Sequence, residues 1–288
     1  MDSNLARRIL FAVVAIPIAF AIIWFGGWPL VAIVALVAVL GTRELYDFAR
    51  RQRIEPALQI GLLTALVIAP IGYVSLSSIY NTWWVLVAGF YAGAIWVMGL
   101  LTWTLWRRAP GDKPLEVVSV TIFGVVYAGL LPSFLLVIRH NGYGLKSWPA
   151  TALVFFPLIV TWVCDTAAMF GGKLFKGPKL APTVSPGKTR SGAISGVVCG
   201  VAIAPLYSLL ALQPAGLVIP DWKLMICAAV WAVMGQVGDL VESLLKREVG
   251  LKDSSDLIPG HGGVLDRFDS LYFVLPLAVA MYKILGIQ

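Results

Sequence analysis

Charge is scarce in this chain. Only 13% of its 288 residues are Asp, Glu, Lys or Arg, about half the roughly 25% of an ordinary soluble domain. Hydrophobic residues make up 59%, and mean hydropathy is +0.86, which excludes a soluble globular protein. Histidine occurs twice and cysteine three times. Cys164, Cys199 and Cys227 all fall within apolar runs and form no CxxC spacing, so they read as buried free thiols, not a metal or redox motif. No internal repeat, separate soluble domain or low-complexity tail interrupts the pattern. What is left is a single membrane domain covering 1–288.

Apolar runs recur at the ~20-residue length that a helix needs to cross ~30 Å of hydrocarbon. They predict an all-α polytopic transmembrane helix bundle of about nine spans, at 9–25, 28–48, 57–80, 82–106, 115–139, 149–172, 191–212, 223–247 and 267–286. Helices are required because backbone groups cannot stay unpaired in lipid. Arg7 and Arg8 precede the first run as in a signal peptide, but Gly26-Gly27-Trp28-Pro29 is a poor cleavage site and a second span follows at once. The first run therefore reads as a retained helix. The second span carries Arg43, Glu44 and Asp47 on its last turns, so its end projects beyond the lipid core.

Basic residues orient the bundle. With the N-terminus cytoplasmic, 18 of the 22 Lys and Arg residues fall on the inner side, and only Arg139, Lys146, Lys223 and Lys283 on the outer. The net charge of +7 thus belongs mostly to one face, which attracts anionic headgroups or a polyanionic substrate.

Two places break the apolar rule. Asp165 lies within the sixth span, and the eighth span turns polar at Asp239, Glu242, Ser243 and Lys246, which at i, i+3, i+4 and i+7 share one helix face. An ionisable group near mid-membrane costs at least ~2.5 kcal/mol, so it faces a cavity or a partner. Asp266 and Asp269, three apart, open the ninth span. Acidic pairs from two helices suit a hard cation, Mg²⁺ above all, which keeps waters and shares its shell with substrate phosphates. Asp239 and Asp266 are the leading ligands, with Glu242, Asp269 and Asp165 supporting. Salt bridging is the competing account, and it explains Lys246 and Arg247 well.

Pro259-Gly260-His261-Gly262-Gly263 joins those helices. Its glycines let backbone amides approach a phosphate. The other inner loop, Gly171 to Gly192, carries five basic residues and no acid. Its Ser185-Pro186-Gly187-Lys188-Thr189 lacks P-loop spacing, but Lys188, Thr189 and Ser191 stand just before a helix whose dipole favours anions.

Ser243-x-x-Lys246-Arg247, Lys252-Asp253 and His261-Gly262-Gly263-x-x-Asp266-Arg267-x-Asp269 together resemble the signature of the phosphatidate cytidylyltransferases, or CDP-diacylglycerol synthases. The resemblance extends to the Asp165 helix and the Ser185-to-Thr189 loop, covering 149–288, with 1–140 as generic N-terminal helices. The loop departs from the family's usual Ser-Pro-Lys-Lys-Thr-x-Glu-Gly at Gly187 and Ser191, so contacts from those two side chains are not carried over.

The resemblance implies cytidylyl transfer from CTP to phosphatidic acid in phospholipid biosynthesis, giving CDP-diacylglycerol and pyrophosphate with a divalent cation. It implies catalytic Asp239, Asp266, Lys246 and Arg247, and substrate contacts from Ser185, Lys188, Thr189, Ser243, Lys252, His261, Gly262, Gly263 and Arg267. The site would lie on the cytoplasmic face of a bacterial-type inner membrane. No nucleic acid is involved, and a homodimer is compatible with the sequence. Two rivals are a CTP-dependent lipid or polyprenol kinase and a secondary transporter; the matched interrupted helices that mark many transporters are absent.

Overall fold

The computed structural model describes residues 16–77, 82–257 and 262–287. Nine helices account for most of these residues: α1 (Ile16–Phe25), α2 (Gly27–Arg51), α3 (Leu58–Ser77), α4 (Thr82–Arg107), α5 (Pro114–His140), α6 (Trp148–Phe175), α7 (Arg190–Leu212), α8 (Asp221–Glu248) and α9 (Leu265–Ile284). The expected spans match the described helix ends to within three residues, apart from the start of the first, which lies outside the described residues.

Seven helices, α2 to α8, are long and apolar enough to cross a membrane, so the chain is a multi-pass membrane protein. The expectation of nine spans is met only in part. α1, as described, is shorter than a span. α9 has 20 residues, but Asp266, Arg267 and Asp269 crowd its first turns.

The connections alternate between two poles. At one, Gln52 Nε2 donates to Glu248 at 2.8 Å and Arg108 reaches the Glu55 carbonyl at 2.9 Å. At the other, Arg139 donates to the carbonyls of Ile23, Trp24 and Gly144, and Lys223 to that of Leu285. Charge patterning had assigned the first group to one side of the membrane and the second to the opposite side.

The bundle is all-α as expected, with one small antiparallel hairpin in the loop between α6 and α7. Strand β1 (Lys179–Ala181) pairs with β2 (Ser185–Thr189), Lys179 lying opposite Thr189. Pro178, Pro182 and Pro186 deny this segment a helix, since each lacks an N–H and fixes φ.

Small residues bring the functional helices together. At Gly196 of α7, a Cβ would lie 2.9 Å from the Cys164 carbonyl of α6, and at Gly238 of α8 it would lie 2.7 Å from the Asp269 carbonyl of α9. Only glycine permits backbones this close, the usual device where lipid supplies no hydrophobic drive between helices. The core of α6 to α9 is aromatic: Phe156 stacks on Tyr207 at 5.3 Å, and Trp231 meets Phe156 and Tyr282 edge-on. Cys164 and Cys227 are buried free thiols as expected, but Cys199 is exposed on the outer face of α7.

Candidate active site

A cavity of about 820 Å³ opens at the hairpin pole, between α6, the hairpin, the start of α7, α8 and the start of α9. Asp165 from α6, Asp239 from α8 and Asp269 from α9 line it. These three carboxylates come from three helices and share the lining of one cavity. The small-residue contacts produce this meeting: Gly196 seats α7 against the turn that carries Asp165, and Gly238 sits beside Asp239 and against Asp269. Lys188, on β2, forms an ion pair with Asp239 and lines the same cavity.

The lining also carries bases. Lys173, Lys176, Lys179 and Arg267 line the cavity, while Trp162, Met169 and Leu180 give it an apolar side. Thr189, also lining it, spends its hydroxyl as the cap of α7, accepting from the Gly192 N–H at 3.1 Å. One concavity thus presents acids, bases and a greasy flank together.

The polar stripe foreseen on α8 divides in two. Asp239 faces the cavity, and Ser243 Oγ donates to its Oδ1 at a long 3.4 Å. Glu242 and Lys246 instead lie buried behind the wall, where the Lys246 ammonium stands 2.6 Å from Glu242 and 2.5 Å from Asp266. Asp266 reaches the cavity but is heavily engaged. Its Oδ1 takes Lys246, and its Oδ2 accepts from the Ser254 N–H and hydroxyl and from the Gly263 N–H, at 2.7–2.9 Å.

Arg247 points away from the cavity. It donates to the Val184 carbonyl at 3.2 Å and to Leu251 at 2.7 Å, tying the hairpin tip to the end of α8. Ser185 and Lys252 do not line the cavity, and Lys252 is exposed. Gly262 adopts the left-handed φ of +78° that its type allows, while Gly263 contributes its amide to Asp266. His261 lies outside the described residues.

Three features escaped the sequence reading. Lys173, Lys176 and Lys179 were counted only as part of a basic loop. Gln236 lines the cavity one turn before Asp239, with its amide nitrogen donating to the Ala193 and Ala232 carbonyls at 3.2 Å. Glu44, from the supposedly generic N-terminal helices, is buried and binds the segment preceding α9. Its only sequence signal was an acid one turn from the end of an apolar helix.

Among the described residues, no three His, Cys, Asp or Glu side chains converge into a ready-made metal cage. The donor chemistry of Asp165, Asp239 and Asp269 nevertheless fits a hard cation, since all three bring carboxylate oxygens to the lining of one cavity. Glu242 does not line the cavity, whereas Asp266 lines it while paired with Lys246, as Asp239 does while paired with Lys188.

A model described as "Cytidylyltransferase family" matches residues 6–285. Among curated relatives, a protein named phosphatidate cytidylyltransferase from Bacillus subtilis (strain 168) is 30% identical over 274 residues, covering 95% of this chain and 96% of its own length. One of the same name from Brucella suis is 32% identical over 93% of this chain and 90% of its own. A third, from Synechocystis, is 31% identical over 94% of both.

Proposed function

The chain belongs to the cytidylyltransferase family, and from that premise and the cavity we infer that it transfers the cytidylyl group of CTP to phosphatidic acid. A phosphate oxygen of the lipid attacks the α-phosphorus of CTP. A new P–O bond forms, the α–β bridging bond breaks, and the products are CDP-diacylglycerol and pyrophosphate. The observation that carries this reading is the composition of one cavity: carboxylates from three helices, four lysines and an arginine, and apolar Trp162, Met169 and Leu180.

Two polyanions must meet there, so screening and positioning account for most of the catalysis. Lys188, Lys173, Lys176, Lys179 and Arg267 surround the space where the triphosphate and the lipid phosphate would sit, and hold them by charge. The lipid phosphate is already ionised at neutral pH, so no protein base is required to create the nucleophile. Trp162, Met169 and Leu180 offer apolar contact to the glycerol and the first carbons of the acyl chains. Asp165, Asp239 and Asp269 would hold a divalent cation, Mg²⁺ by preference, which supplies charge neutralisation on the phosphates when bound. Asp266 and Glu242 serve the scaffold through Lys246. By the basic-loop asymmetry the cavity faces the cytoplasm, where CTP is available.

The deciding experiment supplies the purified protein with phosphatidic acid, Mg²⁺ and CTP labelled at either the α- or the γ-phosphate. The α-label should enter the lipid and the γ-label should leave as pyrophosphate. Entry of the γ-label into lipid, with CDP released, establishes a kinase instead. Asp239→Asn should abolish transfer while the protein still purifies as a monodisperse species. Full activity in that variant removes Asp239 from the site.

A further inference from the structure

Glu44 belongs to α2, far in sequence from every residue of the cavity, yet it is one of the most heavily bonded carboxylates in the molecule. Its Oε1 accepts from Ser255 Oγ at 2.6 Å and from the Val264 N–H at 2.9 Å. Its Oε2 accepts from Ser254 Oγ and from the Leu265 N–H, both at 2.9 Å. The residue is 5% exposed, and no Lys, Arg or His pairs with it among the described residues. A buried carboxylate without a cation is tolerated only where several donors converge on it.

The donors are informative. Val264 and Leu265 are the cap and first residue of α9, and α9 has no side-chain cap of its own. Helix N-termini leave their first N–H groups unpaired, and here a carboxylate from a different helix takes two of them. The N–H of Gly263, the residue before the cap, ends on Asp266. Ser254 Oγ stands 2.9 Å from both Glu44 and Asp266, and since a hydroxyl has a single proton it can donate to only one of them at a time. Glu44 and Asp266 are thereby joined through Ser254 and through successive amides of one turn.

We propose that Glu44 is a positioning residue for the transfer reaction, acting as a cap supplied by α2 that fixes the segment before α9 and so sets Asp266, Arg267 and Asp269 against the cavity. It touches no substrate. Its effect passes through Ser254, Ser255 and the first turn of α9, which makes α2 part of the catalytic frame. The inference rests on the transfer reading for its kinetic consequence only; the cap is a statement about geometry.

The test compares wild type, Glu44→Gln, Glu44→Asp and Ser255→Ala in nanodiscs. Amide hydrogen exchange is followed by mass spectrometry, alongside melting temperature and steady-state kinetics with CTP and phosphatidic acid. Gln keeps the shape but loses the charge, and whichever oxygen its N–H₂ replaces, it opposes one backbone N–H donor, that of Val264 or Leu265. Exchange in peptides covering 254–257 and 262–266 should therefore rise at least tenfold, with helices α3 to α7 unchanged. kcat should fall at least tenfold with the KM for CTP changing less than threefold, and Glu44→Asp should recover part of the loss. Ser255→Ala, which removes one donor and leaves the carboxylate, should show the same local exchange change in weaker form. It stands in should Glu44→Gln not fold.

Exchange that rises evenly over the whole chain, or kinetics per folded molecule equal to wild type, overturns the proposal. Wild-type protein lacking transfer activity refutes the functional reading instead, and the exchange pattern alone then judges the cap.

Discussion

Lys246 separates a structural from a chemical role more cleanly than any other residue. The signature marks it as catalytic, but the structure buries it between two acids, with side-chain exposures of 9% for Lys246, 1% for Glu242 and 6% for Asp266. Replacing it with methionine preserves length and apolar stem while deleting the ammonium. Two carboxylates are then left in the interior. Asp266 keeps the Ser254 and Gly263 donors, whereas Glu242 has no other partner among the described residues.

Breaking a buried ion pair by removing one member costs about 3–5 kcal/mol, because the remaining charge is uncompensated. At about 2–4 °C per kcal/mol for a chain of this order of size, Lys246→Met should lower the melting temperature by roughly 6–20 °C. Thermal denaturation in detergent, followed by fluorescence-detected gel filtration, reads this directly. Glu242→Gln/Lys246→Met removes the orphaned charge as well and should recover about half of the loss, as coupled neighbours do. A single variant that melts within about 2 °C of wild type while losing all transfer would refute the scaffold assignment. Lys246 would then have to act on substrate through a rearranged site.

Arg247→Ala frees the hairpin tip from α8. Since Arg247 is exposed, global stability should change by less than about 1 kcal/mol, while trypsin cleavage at Lys179 or Lys188 accelerates and the KM for CTP rises several-fold; unchanged proteolysis would remove Arg247 from the latch. Gly238→Ala places a methyl carbon 2.7 Å from the Asp269 carbonyl, an overpacking that costs about 1–3 kcal/mol and should separate Asp239 from Asp269 with loss of activity. Gly89→Ala, which meets no atom within 4 Å, is the matched control and should behave as wild type or better. Lys173→Glu/Lys179→Glu reverses two charges of the basic rim, and the KM for CTP should rise at least about tenfold at low ionic strength, the gap to wild type narrowing above about 0.5 M salt as screening sets in. A salt-independent difference would point to misfolding in place of electrostatics.

The helices were legible because their physics is one-dimensional. A run of about 20 apolar residues is visible in any window, and the loop basic residues then alternate by themselves. Asp165 and Asp239 stood out for the opposite reason, as charges where lipid tolerates none, and Asp269 through its three-residue spacing from Asp266 at the start of the ninth span. The hairpin was harder to see, since five residues of Ser-Pro-Gly-Lys-Thr carry no alternating apolar face, and what orders them is Arg247 and the Lys188–Asp239 pair. The helical-wheel stripe on α8 did not name its partners for a similar reason. Asp239 and Lys246 share a face of their own helix, but α9 and the hairpin reach that face at different heights, so Asp239 meets Lys188 while Lys246 meets Asp266.

Glu44 shows where sequence reading stops. Its neighbours Arg43 and Asp47 make it look like ordinary interfacial charge, the expected decoration of a helix that overshoots the lipid. Nothing within about four residues of it names a partner, because its donors lie 210 to 221 positions away. What a sequence does register is the complementary vacancy: α9 begins at Val264-Leu265 with no Ser, Thr, Asp or Asn at its cap, although a buried helix start must have its amides satisfied. An uncapped helix following a glycine-rich loop predicts a donated cap from elsewhere in the fold. The only question it leaves is which acid supplies it, and a buried carboxylate on α2 with four donors and no cation among the described residues is the answer the packing gives.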